Sequence, residues 1–266
     1  MSLIISTILC TTYYYLSNYE LMIAFSQFLG HFIIAVGLPY HRGQKSEIVN
    51  LLNPVAKYEL LPDIFPPRYG AIGGLIQNQT IIAGGFDYPN YLQDYFLDIK
   101  RQPDQKPLKM IKKRCKASSV VLNDDSIWIV GGTSDIFESD KSHDSTEFLS
   151  INKPMSQIGP NLPFSIHSHG MVYMDADHIF IIGGIVNGKN TTSKSWIVKP
   201  KQNFKVIDGP TLNMARSRHC CGKMKINGKW YIVVAGGESA LNSPWELASV
   251  ELLEFDSNKG WFSGNL

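Results

Sequence analysis

Three features of the sequence predict an all-β fold built from repeated units. A short apolar run ending in a glycine pair recurs, strand-forming aromatic and β-branched residues alternate with turn residues, and no long helical pattern with a 3.6-residue period stands out. The pairs are Gly84–Gly85, Gly131–Gly132, Gly183–Gly184 and Gly236–Gly237, and a degenerate fifth copy ends at Gly37. Their spacing of about 50 residues is typical of one blade of a β-propeller.

The segments around each glycine pair repeat in the same order. An apolar run and a polar hairpin turn precede the glycine strand, as in residues 74–82, and Asn- or Asp-rich turns between such runs are typical of β-hairpins. A third strand follows each pair, predicted at residues 48–52, 95–99, 147–151, 195–198 and 250–255, and a weaker fourth follows it, as at residues 57–61 and 203–207. Each unit is therefore predicted to form a four-stranded sheet. One such sheet cannot bury both faces, but radially stacked sheets bury one another.

The chain is predicted to divide into an apolar N-terminal segment, residues 1–18, and a propeller domain, residues 19–266. Residues 1–19 carry no charged side chain, and no Lys or Arg precedes Arg42. We expect an extra strand on the first repeat; a signal or anchor is the alternative, although the apolar run is short for a membrane span of about 20 residues. The five visible repeats would form a five-bladed ring closed by residues 1–18, or an incomplete or divergent six-bladed ring, which we favour.

The repeats resemble those of the Kelch family. The fullest copy runs from Arg216-Ser217-Arg218-His219 through Gly236–Gly237 and the third strand to Trp261, and Pro66–Gly70 begins a second good copy. The resemblance spans about residues 19–266 and implies a Kelch-type β-propeller. Gly37-Leu38 lacks the second glycine, and the family tryptophan survives only at Trp261.

The resemblance also implies binding of another protein through exposed loops. Four arginines match the family's arginine before the first strand of a blade and could line a cationic face for acidic motifs: Arg68, Arg114, Arg216 and Arg218. The alternative is that each arginine braces a neighbouring blade. The loops predicted to contribute contacts are residues 86–94, 133–146, 185–194 and 238–249.

No cofactor and no metal are predicted. Residues 167–169 and 219–221 place His and Cys side chains at equivalent positions of neighbouring repeats, but their spacing fits no ligand signature. The cysteines are expected to be small buried hydrophobes. The basic segment 106–116 is expected to be an outer strand with a solvated face, because it lacks the aromatic residues of nucleic-acid binders.

The predicted function is a non-catalytic interaction scaffold, possible roles being a substrate receptor or a cytoskeleton-associated adaptor. No nucleophile elbow, P-loop or zinc-protease motif occurs, and the net charge of +2 gives no drive toward nucleic acid or membranes. A cytoplasmic location is expected. The alternatives are a galactose-oxidase-like or glycosidase-like propeller enzyme and a secreted Kelch protein, the latter suggested by sequons at Asn78 and Asn190.

Overall fold

The computed structural model describes most of the chain from Gly70 onward and separate strands before it. The described ranges are 11–16, 19–28, 31–37, 47–50, 59–60, 70–77, 79–87, 91–92, 94–98, 107–123, 126–135, 141–239, 246–257 and 259–264. Residues 1–10, Arg68 and residues 136–140 and 240–245 lie outside them.

Sheets 1 and 2 come first in the chain. Sheet 1 contains β1 (Thr11–Leu16), β2 (Tyr19–Phe28), β3 (His31–Gly37), β4 (Glu47–Asn50) and β5 (Glu59–Leu60), side by side in that order. Sheet 2 contains β6 (Ile72–Ile76) and β7 (Gln79–Ala83), and the hairpin of β8 (Phe86–Asp87) and β9 (Tyr91–Leu92) leads to its outer strands, β10 (Tyr95–Asp98) and β11 (Leu108–Lys109).

Sheets 3 to 5 repeat the four-stranded pattern. Sheet 3 contains β12 (Ser118–Asn123), β13 (Ser126–Val130), β14 (Thr146–Leu149) and β15 (Gln157–Ile158). After β16 (Ile166–His167), sheet 4 begins with β17 (Gly170–Asp175) and β18 (His178–Ile182); β19 (Ile185–Val186) and β20 (Asn190–Thr191) intervene, and β21 (Ser195–Lys199) and β22 (Lys205–Asp208) complete it. Sheet 5 contains β23 (Cys220–Ile226), β24 (Lys229–Ala235), β25 (Val250–Glu254) and β26 (Phe262–Gly264).

The prediction of an all-β protein with repeated four-stranded antiparallel sheets is confirmed. Strand pairs within these sheets are antiparallel, and the hairpins and third strands lie within a few residues of their predicted positions. Sheet 1 differs in carrying β1 beside β2. The division of the chain at residue 18 stays a prediction.

A row of strands contacts one another from sheet to sheet: β2, the second strand of sheet 1, with β6, and then the first strands of sheets 2 to 5, β6 with β12, β12 with β17 and β17 with β23. A backbone relay accompanies this row. The N–H of Lys116 donates to the carbonyl of Gly70 (3.0 Å), that of Ser168 to Lys116 (2.7 Å) and that of Arg218 to Ser168 (2.8 Å). All four residues have left-handed backbones, with φ between 54° and 66°. Sheets 2 to 5 are thus joined, each to the next, by the same turn at the same place.

The hydrophobic core lies between the sheets. Along β13, Ile127 and Ile129 pack backward onto sheet 2, whereas Trp128 and Val130 pack forward onto sheet 4. We call these two sides the backward face and the forward face of a sheet. The same alternation in sheet 4 directs Phe180 forward, onto sheet 5. Period-2 alternation therefore buries both faces of sheets 3 and 4.

The glycine pairs make close contact between the sheets possible. All eight glycines have positive φ, which other residues rarely adopt. The second glycine donates its N–H to a carbonyl just ahead of the next sheet, at 2.8 Å for Gly85 to Arg114, Gly132 to Ile166 and Gly184 to Arg216. A Cβ on the first glycine (Gly84, Gly131 or Gly183) would collide with that carbonyl oxygen. Positive φ therefore favours glycine at both positions, and the nearby carbonyl oxygen leaves no room for a side chain at the first.

Candidate functional site

Four loops gather at one end of the sheets, which we call the loop end. Each follows a glycine pair and folds back on itself: β8 pairs with β9, Thr133 bridges to Ser142, β19 pairs with β20, and Glu238 bridges to Glu246. The loops also pair with three-residue segments that end one residue before a first strand begins, and we call each of these an entry segment: 114–116, 166–168 and 216–218. The loop end is therefore framed by loops and entry segments together.

Arg114 occupies a closed polar site inside sheet 3. Its side chain is fully buried, and its Nη1 donates to the carbonyls of Gly131 (2.6 Å) and Ser145 (3.0 Å). Its Nη2 contacts Glu147 Oε1 at 2.5 Å. Burial lowers the pKa of Arg114, and the carboxylate of Glu147 opposes that shift by charge and hydrogen bonding. A buried cation is stable here because its partner charge is in direct contact.

The carboxylate of Glu147 holds the chain that leads to Arg114. Its Oε2 accepts the backbone N–H of Ile111 at 2.9 Å and the hydroxyl of Ser156 at 2.5 Å, and its Oε1 accepts the N–H of Lys112 at 3.0 Å. We call Arg114, Glu147 and these backbone groups the sheet 3 hub. The hub holds residues 111–114, which lead to the first strand of sheet 3, against the third strand, β14.

Sheet 5 contains the same hub. Arg216 is fully buried, contacts Glu251 Oε1 at 2.7 Å and donates to the carbonyls of Gly236 (2.8 Å) and Ser249 (3.2 Å). Glu251 accepts the backbone N–H groups of the residues at the same two positions, Asn213 (2.7 Å) and Met214 (3.2 Å).

Sheet 4 replaces every part of the hub with apolar groups. Ile166 stands at the arginine position and Trp196 at the glutamate position, and both belong to the buried cluster between sheets 3 and 4. Pro163, which has no N–H, stands where Ile111 and Asn213 donate. Phe164 stands at the second donor position and packs on Trp196 with ring centroids 4.3 Å apart. Removing both charges together leaves no unpaired group, so an apolar set can substitute for the ionic one.

The three described arginines among the four predicted ones lie in different surroundings. Arg68 lies outside the described residues. At Arg114 and Arg216 neither guanidinium reaches solvent, and the side-chain contacts of each lie within its own sheet rather than with a neighbouring one. Arg218 is partly exposed and pairs with Glu238 at 2.9 Å on the loop end. A partner-binding role for the arginines stays a prediction, and Arg218 is the described arginine best placed for it.

Two histidines that directly follow entry segments in the chain, His169 and His219, are buried. His169 and His219 are almost inaccessible, and neither ring has a hydrogen-bond partner among the described residues. Burial, together with the neighbouring His167 and His219, lowers the pKa of His169 to about 3. Burial and Arg216 lower the pKa of His219 to about 3. These side chains are therefore neutral near pH 7.

The described residues include no group of three or more His, Cys, Asp or Glu side chains that could hold a metal ion. His167 contacts the hydroxyl of Ser168 through Nδ1 at 3.0 Å instead. Cys115 and Cys221 are free and buried, and burial raises the pKa of each thiol to about 12. Both thiols are therefore protonated at neutral pH, as small buried side chains.

Sequence reasoning missed Glu147 and Glu251. A signal was present: the two repeats with Arg114 and Arg216 carry Ser-x-Glu at the start of the third strand, whereas the repeat with Ile166 carries Trp196 there. In these three repeats arginine and glutamate are both present or both replaced, whereas the repeat with Arg68 has Leu97 at the glutamate position.

Comparison with known proteins gives a partial likeness. No family model matches the chain. Two curated relatives are the Kelch repeat and BTB domain-containing protein 2 of cowpox virus strain GRI-90 / Grishak and of strain Brighton Red. Each is 30% identical over 112 residues, which is 41% of this chain and 19% of the relative, so the match spans about a fifth of the relatives' length. Over that stretch the chain is similar to Kelch-repeat proteins, and its repeated four-stranded sheets are compatible with that likeness.

Proposed function

We propose that the chain is a Kelch-type β-propeller that serves as a non-catalytic scaffold and binds another protein through the loop end. The main supporting observation is that sheets 2 to 5 are joined by three equivalent junctions, while the four loops that follow the glycine pairs differ and lie at one end. A rigid repeated framework with loops of unequal length suits recognition, because loops can differ while the core persists. The likeness to proteins named for Kelch repeats supports the same proposal.

The proposed contact surface includes loops 86–94, 133–146, 185–194 and 238–249, with Arg218 beside the last. The ends of loop 133–146 have a structural role, since Thr133 is buried and the Ser145 carbonyl accepts from Arg114. Its centre, residues 136–140, therefore offers the better site for partner contact. The guanidinium of Arg218 contacts Glu238 at 2.9 Å, so a carboxylate of the partner would bind there in competition with Glu238.

The proposed partner is a protein rather than nucleic acid or a membrane. The net charge is +2, and no helix in the described part of the chain has the length and apolarity needed to cross a bilayer. A cytoplasmic location is part of the proposal and rests on the sequence alone. The finer roles of substrate receptor or cytoskeletal adaptor are also proposals.

Replacement of residues 136–140 by a Gly-Ser segment of equal length tests the proposal. The expected result is loss of partners in quantitative affinity capture with the full chain, while the thermal unfolding midpoint is unchanged. Replacement of Lys201–Asn203 by Ser-Gly-Gly is the matched control, because that exposed turn lies between β21 and β22 at the opposite end. Identical partner sets for the wild type and the loop variant would contradict the role of this loop.

A further inference from the structure

The outer edges of sheets 2 and 3 meet in a surface where apolar side chains lie among lysines. Lys109 of β11 bridges in parallel to Met155, which lies just ahead of β15, through backbone hydrogen bonds of 2.9 Å and 2.8 Å. Exposed and buried side chains alternate along both segments, as in strands with one face in water. Met110 and Ser156 are buried, whereas Lys109, Ile111 and Met155 are exposed.

We call this the rim surface, and its residues are Lys109, Ile111, Lys112, Lys113, Lys153, Met155 and Ile158. Its apolar side chains, those of Ile111, Met155 and Ile158, are 40%, 53% and 76% exposed. Ile158 lies near Ile111 because it pairs with Glu147, whose carboxylate accepts the N–H of Ile111. Exposed apolar side chains that lie together, unlike scattered ones, indicate a site that another molecule covers.

The rim surface is also basic. All four of its lysines are exposed. Lys109 pairs with Asp94 at 3.1 Å, whereas neither Lys112 nor Lys113 has an ion pair among the residues that the structure describes. The carboxylate of Glu147 does not neutralise them from outside, because it is buried in the sheet 3 hub. Unpaired positive charge therefore lies beside exposed apolar groups.

The fold does not require this composition, because the equivalent positions of the next two repeats lack it. The buried apolar residue four positions before each entry segment is kept, as Met110, Leu162 and Leu212. The positions around it hold Lys109, Ile111, Lys112 and Lys113 before sheet 3, Asn161, Pro163, Phe164 and Ser165 before sheet 4, and Thr211, Asn213, Met214 and Ala215 before sheet 5. The last two sets carry no charge, so the lysines before sheet 3 are free to serve recognition.

We propose that the rim surface binds an acidic segment of a partner protein that also carries apolar side chains. Carboxylates of that segment pair with Lys112 and Lys113, and its apolar side chains cover Ile111 and Met155, whose flexible thioether adapts to different shapes. Nucleic acid is a poorer occupant, because the rim surface has no aromatic side chain on which bases could stack. The rim surface includes no residue of the four loops at the loop end, so the inference does not rest on the function proposed above.

A fluorescent peptide that repeats Glu, Glu and Leu is the probe, and fluorescence anisotropy with the full chain measures its Kd. Saturable binding that weakens as salt is added is expected. Replacement of both Lys112 and Lys113 by Ser should raise Kd by about tenfold, because two ion pairs are lost. Met155→Ser should raise it by about threefold or more through lost apolar contact. The double variant Lys201→Ser and Lys205→Ser is the matched control, since it removes two exposed lysines from sheet 4, and its Kd should stay within about twofold of wild type.

Thermal unfolding checks that the variants are folded, and Lys113→Ser alone replaces the double rim variant if that one unfolds. The inference is overturned by a lack of saturable binding at millimolar peptide, or by equal affinity in the rim and control variants. Undiminished affinity for a peptide with Ser in place of Leu would overturn it too, because charge alone would then suffice. Tighter binding of a single-stranded oligonucleotide, or of phosphatidylserine–phosphatidylcholine vesicles, that the rim variant loses would assign the surface to a different class of partner and overturn it equally.

Discussion

At the residue scale, the most informative groups are the buried Arg114 and Arg216. Each guanidinium donates to carbonyl groups and to a carboxylate within its own sheet. The sequence marked these positions through their place in the repeat, but its pattern could not distinguish an arginine that faces a partner from one that faces inward. That distinction depends on Glu147 and Glu251, which are about 35 residues away in the chain and become neighbours only when the third strand pairs with the second.

Replacement of Arg216 by Ile is expected to lower the free energy of unfolding by about 3–5 kcal/mol, because it leaves the buried carboxylate of Glu251 without its counter-ion. Adding the other sheet 4 residues, in the variant Asn213→Pro, Met214→Phe, Arg216→Ile and Glu251→Trp, is expected to recover most of that loss. Urea unfolding measures both variants. Arg218→Ala is the control and should cost at most about 1 kcal/mol, since its ion pair is partly exposed. A combined variant no more stable than the single one would show that the two sets of residues are not interchangeable.

At the scale of the elements, the glycine pairs explain why the strands were predictable and the loops were not. A glycine pair at the end of an apolar run constrains the backbone locally, so strands such as Ile179–Ile182 could be located from the sequence. The short strands at Ile185–Val186 and Asn190–Thr191 lie within a segment predicted to be a loop. The pairing of Ile185–Val186 with Ile166–His167 spans the hairpin of β17 and β18, so no local period in the sequence indicates it.

The requirement for glycine at the first position of each pair can be tested by substitution with alanine, which adds one methyl group. Gly183→Ala should be the more damaging substitution, because its Cβ would collide with the Arg216 carbonyl oxygen that belongs to the next sheet. Gly228→Ala has comparable backbone strain and open surroundings, so it should cost only the penalty of about 1–2 kcal/mol for a left-handed residue. Overpacking should add about 1–3 kcal/mol at Gly183. Equal denaturation midpoints for the two variants would argue against a close approach between sheets 4 and 5.

At the scale of the whole molecule, buried neutral histidines make stability depend on acidity. His169 and His219 have pKa values near 3, and burial with Lys116 and Arg218 lowers the pKa of His167 to about 4, all below the ordinary value of 6.5. Between the folded pKa values of about 3 to 4 and the ordinary value of 6.5, the unfolded chain therefore binds more protons than the folded chain. Stability from these groups is fully present above pH 6.5 and is lost as pH falls toward 3 to 4.

The free energy of unfolding is expected to fall by about 1.4 kcal/mol per pH unit for each of these histidines across that range. Urea unfolding between pH 7.5 and about pH 4.5 measures the slope. His219→Leu should make the slope shallower, because a leucine binds no proton, while His178→Gln at the more exposed pair with Asp175 serves as the control. An unchanged slope in His219→Leu would mean that His219 is protonated in the folded state at these pH values.

The relay through Gly70, Lys116, Ser168 and Arg218 has a consequence for how the protein opens. Sheets 3 and 4 are each joined by these backbone bonds to the sheet before and to the sheet after. In an array of repeats with nearest-neighbour coupling, separation of such a sheet breaks two junctions at once. The amides of β13 and β18 should therefore exchange with solvent late and together.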